Sequence, residues 1–226
     1  MDKVWIVIPA FNEEKKIVSV IDGLKKHGYL NIVVVDDCSK DNTFNVSSDA
    51  CVKVLKHNVN QGQGAALRTG ISFALKNDAE IIVTFDSDGQ HQPEDIVGLI
   101  EPVIENNYDV VLGSRFLNKK SNVGLIRGLF LKGGAFIFRI MYNVKLTDSH
   151  NGLRAFSKLA AEKIKISENR MEHASEITEE IGRLGLRYVE VPVTIVYTDY
   201  SVSKGQSTWN AFNILFKMIK RKVGLK

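Results

Sequence analysis

Short β-branched runs recur along the first half of the chain, and they alternate with polar turns and with apolar residues at helical spacing. The runs lie at residues 4–8, 31–35, 52–55, 81–85 and 109–115. Helical spacing after the first run is shown by Ile17, Val20, Ile21 and Leu24. Strands that alternate with helices in this way predict an α/β fold with a mostly parallel, Rossmann-like sheet flanked by helices. Ligands of such sheets bind beyond the carboxyl ends of the strands.

An acidic loop follows the fourth of these runs. Asp86 and Asp88 stand one residue apart directly after residues 81–85, and Pro93 begins a helical pattern behind them. Two carboxylates at the end of a buried strand form a hard-oxygen site suited to Mg²⁺ or Mn²⁺ held jointly with a phosphate. A plain turn is the alternative, because Asp and Gly favour tight turns without any ligand.

Composition sets the size and class of the protein. With 226 residues, 44% of them hydrophobic, we expect one domain over residues 1–226, with residues 1–115 and 116–226 as its two halves. Cys38 and Cys51 are too few for a disulfide framework, so we expect a reducing cytoplasm. The longest stretch without a charged residue is 205–216. We therefore expect no transmembrane helix.

The positive charge is concentrated at the end of the chain. The net charge is +4, and residues 204–226 hold six basic and no acidic residues, which leaves residues 1–203 at −2. An apolar stripe in this segment comprises Trp209, Phe212, Phe216, Ile219 and Val223. Such an amphipathic basic helix lies in a membrane interface or packs on its own domain. We expect an anionic membrane surface as its partner and no nucleic acid.

A glycine-bearing turn lies within residues 58–70. Gly62 and Gly64 would let the backbone approach a phosphate, and an ordinary helix start is the alternative. The pattern differs from the dinucleotide fingerprint, because the second glycine is followed by Leu67 and the turn does not follow the first strand.

The second half of the chain is less regular. Residues 124–142 are apolar but interrupted by three basic residues, which fits one or two amphipathic helices. We also predict a helix around residues 176–184 and a strand over residues 187–196.

Six motifs occur in order along nearly the whole chain. They are IPAFNEE at 8–14, VDDCSKDNT at 35–43, NQGQG at 60–64, DSDGQHQP at 86–93, GSR at 113–115 and TDSHNGLR at 147–154. Together they closely resemble glycosyltransferase family 2, and within it the dolichyl-phosphate mannose synthase branch. Six ordered motifs are far more specific than any one of them.

The resemblance implies a GT-A fold, a nucleotide-diphosphate sugar as donor, and Mg²⁺ or Mn²⁺ as cofactor. The nucleotide-sugar site would comprise Pro9, Ala10, Asn12 and Glu14 around base and ribose, Asp37 at the base, and Gly64, Arg68, Asp86 and Gln90. Asp86 and Asp88 would bind the metal, and Asp88 would act directly in catalysis. Family analogy also implies inversion at the sugar carbon.

Several residues have a structural alternative. The alternative to ligand binding is a helix cap for Asn12, a turn residue for Asp37, and a turn or helix-start residue for His91. Acceptor or phosphate recognition would involve Arg115, Asp148, Arg154 and Lys204. Arginine suits bidentate phosphate binding, and structural ion pairs are the alternative role of these arginines.

The acceptor is the least constrained part of the reaction. The synthase branch usually carries an arginine-bearing loop ending in Gly-x-Ser-Lys after the strand at 187–196, and residues 197–207 depart from it. Glu176 lies where relatives that glycosylate hydroxyl groups often carry an acidic base. We therefore predict transfer to a hydroxyl group of a lipid-linked or other membrane-associated glycan, with polyprenyl phosphate as the alternative acceptor. Both acceptors place the protein at the cytoplasmic membrane face.

Two other classes of protein share some of these features. A sugar nucleotidyltransferase would need a glycine-rich turn after the first strand, where residues 9–14 lack it. A non-catalytic nucleotide-sugar binder would not need both Asp86 and Asp88. The sequence specifies neither the base nor the sugar of the donor, and it leaves homo-oligomerisation open.

Overall fold

The computed structural model describes residues 2–117, 144–148 and 151–196, and the structural statements below refer to these residues. The strands are β1 (Val4–Ala10), β2 (Ile32–Asp36), β3 (Lys53–Lys56), β4 (Ile81–Thr84), β5 (Val110–Ser114), β6 (Arg154–Ser157) and β7 (Tyr188–Pro192). The helices are α1 (Ile17–Lys26), α2 (Thr43–Asp49), α3 (Gln63–Lys76), α4 (Ile96–Ile104), α5 (Lys158–Lys163) and α6 (His173–Leu184). A single 3₁₀ turn, Pro93–Asp95, leads into α4.

The described strands form one sheet in the order β3-β2-β1-β4-β6-β5-β7. Neighbouring strands are parallel except at β6, which runs antiparallel to both β4 and β5. The mostly parallel α/β sheet expected from the sequence is confirmed. Strand β6 was not predicted, because its first residue, Arg154, ends a polar motif and only two of its four residues, Ala155 and Phe156, are apolar.

Helices cover both faces of the sheet. All seven residues of β1 are buried, and residues 4–8 alternate between two hydrophobic clusters. Ile6 and Ile8 lie in the cluster that contains the apolar residues of α1 and α4. Val7 lies in the cluster that contains those of α3 and α6. The continuous apolar runs are therefore strands buried on both faces, as parallel sheets require.

Gly70 allows α3 to lie directly on the sheet. A Cβ at this position would overlap the side chain of Val7 and would approach Cγ2 of Val35 to 3.2 Å. The close contact aligns the amino terminus of α3 with the carboxyl ends of β1 and β2, where the candidate site lies.

Some boundaries and roles differ from the predictions. Helix α1 begins at Ile17, so Asn12 is not its cap, and Asn12 instead adopts a positive φ of 55°. The predicted helix at 176–184 begins earlier, at His173. Both halves of the chain contribute strands to the same sheet, and the boundary at residue 115 stays a prediction. Three predicted features lie outside the described residues: the one or two helices over 124–142, Lys204, and the amphipathic basic helix over 207–226. None of the helices described is long and apolar enough to span a membrane.

Candidate active site

The polar loops after β1, β2 and β4 meet at one edge of the sheet. The three strands are parallel neighbours, with Ala10 paired to Asp36 and Val7 paired to Thr84. Their carboxyl ends therefore lie side by side, and the residues that follow them line a common crevice. Asp86 and Asp88 enter this crevice from β4.

The carboxylate of Asp86 is fixed on both oxygens. Nε2 of Gln63 donates to Oδ1 at 3.0 Å, and Nε2 of His91 lies 2.9 Å from Oδ2. Burial raises the pKa of Asp86, but the hydrogen bond and charge of His91, with the charges of His173 and Arg154, outweigh it and lower the pKa below its ordinary value. Asp86 is therefore ionised at neutral pH.

Asp88 shows the opposite shift. It accepts a hydrogen bond from the backbone N–H of Gln90 at 3.0 Å, across a turn in which Gly89 has a φ of 77°. Burial and then repulsion from Asp86 raise the pKa of Asp88 above its ordinary value, and the Gln90 N–H opposes them. The two carboxylates repel each other at this site, and a divalent cation would remove that repulsion.

The donor set fits a metal that is shared with a substrate. Two carboxylate oxygen donors and a hydrogen-bonded second layer suit Mg²⁺ or Mn²⁺. Within the residues described, no group of three or more His, Cys, Asp or Glu side chains is placed to hold a metal ion. The diphosphate of a substrate is the natural source of the remaining oxygen ligands, because Mg²⁺ commonly binds through one or two carboxylates and phosphates.

Asn12 and Glu14 join the loop after β1 to the loop after β2. Oδ1 of Asn12 accepts the N–H of Lys40 at 2.8 Å, and Oε2 of Glu14 accepts the N–H of Asn42 at 2.9 Å. Pro9 and Ala10 are buried at the end of β1. The four residues expected around base and ribose thus lie at the correct edge of the sheet, and two of them fix its loops. Their contact with a nucleotide stays a prediction.

Asp37 is only 3% exposed, and its carboxylate accepts several hydrogen bonds. Oδ1 accepts the N–H of Gln61 at 2.9 Å and lies 2.7 Å from Nδ1 of His57, and Oδ2 accepts the N–H of Gly62 at 2.7 Å. This carboxylate positions the glycine turn. The sequence offered only a role in its own turn as the structural alternative for Asp37, whereas the side chain also holds residues 61 and 62. Base contact by Asp37 stays a prediction.

The glycine turn packs against a distant segment, residues 166–170. A Cβ on Gly62 would lie 2.5 Å from the carbonyl oxygen of Asn169, and one on Gly64 would overlap that of Glu168. Arg68 donates to the carbonyl oxygen of Ile166 at 2.8 Å and to Oδ1 of Asn169 at 3.1 Å. Protein contacts thus explain both glycines and Arg68, and their predicted role in nucleotide-sugar binding stays a prediction.

Three of the four predicted acceptor residues, Arg115, Asp148 and Arg154, are buried. Nε of Arg115 donates to Oδ2 of Asp148 at 2.6 Å, and the two residues are 8% and 2% exposed. Arg154 on β6 is 4% exposed, and its Nε donates to the carbonyl oxygen of Asn151 at 2.9 Å. Burial lowers the pKa of Arg154 to about 10, although the charges of Asp86 and Asp148 raise it. Arg154 thus remains a cation beside Asp86.

Glu176 is 8% exposed at the start of α6. Its Oε2 accepts the N–H groups of Ser167 and Glu168, each at 2.9 Å, and its Oε1 accepts that of Ser167 at 3.0 Å. The carboxylate therefore anchors the segment 166–170 that supports the glycine turn. No signal in the sequence indicated this role.

Sequence reasoning missed three residues around Asp86. Gln63 lay in a recognised motif without an assigned role, and His91 was interpreted as a turn or helix-start residue. A Cβ on Gly152 would lie 2.8 Å from Oδ1 of Asp86 and still closer to Oδ2. His91 and Gly152 belong to recognised motifs that the fold brings together, but spacing alone does not show which atoms touch.

The sheet and the acidic pair at its edge define an α/β protein with a candidate site for a divalent metal and a phosphate, and comparison with known proteins gives its family. Residues 5–165 match glycosyl transferase family 2. The chain belongs to glycosyltransferase family 2 and is a glycosyltransferase that uses nucleotide sugars. The resemblance stated from its motifs is thus confirmed.

Relatives at 30% identity or more span nearly the whole chain. An uncharacterised protein of Methanocaldococcus jannaschii is 43% identical, covering 98% of this chain and 93% of its own length. The UDP-N-acetylglucosamine–dolichyl-phosphate N-acetylglucosaminyltransferase of Methanococcus voltae is 36% identical, covering 98% and 96%. The undecaprenyl-phosphate mannosyltransferase of Micrococcus luteus is 31% identical, covering 89% and 87%.

A solved structure gives the fold. Glucosyl-3-phosphoglycerate synthase from Mycobacterium tuberculosis, in complex with Mn²⁺, UDP-glucose and phosphoglyceric acid, matches with a TM-score of 0.76 at 17% identity. The match covers 99% of this chain and 80% of the synthase. The GT-A fold expected from the motifs is therefore confirmed.

Proposed function

We propose that this protein transfers a sugar from a nucleotide-diphosphate sugar to a polyprenyl phosphate, in a metal-dependent reaction that inverts the sugar carbon. The observation that carries the donor half of the proposal is the pair Asp86 and Asp88 at the carboxyl end of β4, with Arg154 buried beside it. The acceptor half is supported by the two relatives that are named for lipid phosphates.

The residues at this edge of the sheet have distinct tasks in the proposed reaction. Asp86 and Asp88 would hold Mg²⁺ or Mn²⁺, which when bound neutralises charge on the departing diphosphate. An oxygen of the acceptor phosphate attacks the sugar carbon, the bond from that carbon to the diphosphate oxygen breaks, and the nucleoside diphosphate leaves with the electron pair. The sugar carbon carries oxocarbenium-like charge during this step, as in other glycosyl transfers.

The contacts of Glu176 support a phosphate acceptor. A sugar hydroxyl must lose a proton as it attacks, whereas a phosphate oxygen is already an anion and needs no base. Both oxygens of Glu176 accept backbone N–H groups, and the side chain is largely buried. A hydroxyl acceptor, which the sequence favoured, is the second candidate, and the observation in its favour is that an acid occupies this position.

Arg115 and Arg154 have indirect roles in this proposal. Arg115 is paired with Asp148, and Arg154 is held by a backbone carbonyl. We assign them to loop positioning and to the positive potential near Asp86, which attracts anionic substrates. Lys204 and the basic segment that follows are assigned to the membrane surface, so the protein would act peripherally at the cytoplasmic face.

A matched set of acceptors tests the proposal. The protein with Mn²⁺ is incubated with each common nucleotide sugar and with polyprenyl phosphate, the corresponding polyprenol, or a polyprenyl-linked sugar. We expect free nucleoside diphosphate and a glycosyl phospholipid with polyprenyl phosphate alone. Transfer to the linked sugar in preference to the phosphate would support the hydroxyl acceptor. Release of pyrophosphate would indicate a nucleotidyltransferase, and no reaction with any donor would indicate a binder.

A further inference from the structure

The side chain of Asp86 is enclosed on three sides. Gln63 donates to one of its oxygens, His91 contacts the other, and the backbone at Gly152 leaves no room for a Cβ. Each carboxylate oxygen has two lone pairs, so one hydrogen bond to each leaves an acceptor direction on each for another ligand. The three neighbours therefore fix the plane of the carboxylate without filling it.

His91 is itself held rigidly. Its side chain is 3% exposed, its ring meets Phe85 edge-on with centroids 5.5 Å apart, and its backbone bridges to Ile195. A carboxylate oxygen accepts in this contact, so Nε2 of His91 is the donor to Oδ2 of Asp86. Within the described part of the chain, Nδ1 is buried without a hydrogen-bond partner. The contact with Asp86 is thus the polar interaction that accounts for a buried histidine at this place.

We propose that His91 is a positioning residue for metal binding: together with Gln63 it holds the carboxylate of Asp86 in the orientation that receives the divalent cation. This inference rests on the metal role of Asp86 in the proposed function. Hydrogen bonds to ligating carboxylates typically change metal affinity 10- to 100-fold when they are removed. His91 touches neither the sugar nor the acceptor in this scheme, and it acts through Asp86.

The test measures metal binding directly. Mn²⁺ is titrated into the full chain with UDP, GDP, ADP, CDP or dTDP, and free Mn²⁺ is followed by electron paramagnetic resonance. The variants are His91→Phe, which removes the donor, His91→Gln, whose amide nitrogen reaches the place of Nε2, and Gln63→Ala, which frees the other oxygen. The control is His27→Gln on the partly exposed His27, which contacts Glu94 and the carbonyl oxygen of Gly23.

We expect His91→Phe and Gln63→Ala each to raise the Kd for Mn²⁺ at least about 10-fold. His91→Gln should recover most of the affinity, and His27→Gln should match the wild type. A structural role alone would not give this rescue, and nucleoside-diphosphate binding in metal-free buffer reports that each variant keeps its pocket. If His91→Phe does not fold, Gln63→Ala at the start of α3 still tests whether hydrogen bonds to Asp86 position this carboxylate for metal binding.

The outcomes separate this inference from the function on which it rests. If the wild type binds Mn²⁺, and His91→Phe and Gln63→Ala bind it as tightly as the wild type, the positioning role is overturned but the metal role of Asp86 is not. Failure of the wild type to bind Mn²⁺ with any of the nucleoside diphosphates would overturn the metal role of Asp86, and the positioning role with it.

Discussion

Carboxylate side chains near the carboxyl edge of the sheet differ in what their oxygens accept. Asp37 and Glu176 are largely buried and accept backbone N–H groups. Asp86 is partly exposed, accepts one side-chain hydrogen bond on each oxygen, and lies beside Asp88. A carboxylate filled by fixed amides holds a loop, whereas a partly exposed pair with mutual repulsion attracts a cation. We therefore expect substitutions at the two kinds of site to have different effects.

Glu176→Gln separates an anchoring role from a general base. A glutamine keeps one oxygen that can accept the two N–H groups that Oε2 accepts, so we expect transfer to polyprenyl phosphate within about 5-fold of the wild type. Glu176→Ala removes the anchor of residues 166–170 and should lower the Tm by about 2–4 °C. Steady-state kinetics and thermal unfolding check both, with Glu162→Gln on the exposed face of α5 as control. A 100-fold loss of kcat in Glu176→Gln at unchanged Tm would instead indicate a base.

Gly152→Ala tests the space beside Asp86. The new Cβ would overlap the carboxylate, so Asp86 or the backbone must move, and we expect kcat to fall at least about 10-fold, because small displacements of reacting groups are costly. The matched control is Gly98→Ala on α4, where a Cβ meets nothing within 4 Å. Equal activity of the two variants would show that Asp86 tolerates displacement.

At the scale of elements, β5, β6 and β7 join the two halves of the chain. Asp109 precedes β5 and accepts the N–H of Arg187, at 2.8 Å, just before β7. The Arg187 guanidinium also donates to both oxygens of Asp109, through Nε at 3.1 Å and Nη2 at 2.8 Å. This pair fixes the register in which β7 meets β5.

Asp109→Asn should lower stability in a pH-dependent way. The hydrogen bonds from Arg187 lower the pKa of Asp109 in the folded protein below its ordinary value. The ionised Asp109 therefore stabilises the fold fully at pH values above the ordinary pKa, and this stabilisation is lost as the pH falls through the lower, folded pKa. We expect a Tm about 2–8 °C below wild type at pH 7. The difference should shrink as the pH falls below about 4. Asp22→Asn, at an exposed position on α1, is the control, and a gap that is constant with pH would contradict the assignment.

The sequence predicted most elements but not their contacts. Apolar period and turn residues place β1 to β5 and α1 within a few residues, because burial on both faces leaves a continuous apolar run. Strand β6 was missed, since Arg154 and Ser157 flank a run of two apolar residues. The packing of residues 166–170 on the glycine turn joins positions about 100 residues apart, and no local pattern encodes it. Asp86 and Asp88 were predicted as ligands because both follow one strand in a short local motif. The contacts of Gln63, His91 and Gly152 with Asp86 were not predicted, because the fold creates them and no local pattern encodes them.

At the scale of the whole molecule, the proposed function requires the donor residues and the basic segment 204–226 to serve one membrane-bound acceptor. The first 203 residues carry a net charge of −2, and residues 204–226 carry +6. A polyprenyl phosphate keeps its phosphate at the membrane surface, so a transferase must bring its crevice there. In this proposal, attraction between the basic segment and anionic lipid would hold the protein at the membrane surface, at about 1 kcal/mol for each basic residue near it.

Deletion of residues 209–226 should release the protein from vesicles that contain anionic lipid. Replacement of the four basic residues Lys217, Lys220, Arg221 and Lys222 by glutamine should weaken binding and remove most of its salt dependence, because the apolar stripe remains. Co-sedimentation at low and high salt measures both. Unchanged sedimentation of the deletion variant would favour a helix packed on its own domain.

The most direct test of the account follows the sugar itself. Wild type and Asp88→Asn are incubated with Mn²⁺, polyprenyl phosphate and the nucleotide sugar that the wild type accepts, and glycosyl phospholipid and nucleoside diphosphate are quantified together. We expect equal amounts of the two products with wild type, none without a divalent metal, and at least about a 100-fold lower rate with Asp88→Asn at unchanged Tm. Undiminished glycosyl phospholipid formation in metal-free buffer, or by Asp88→Asn, would contradict it.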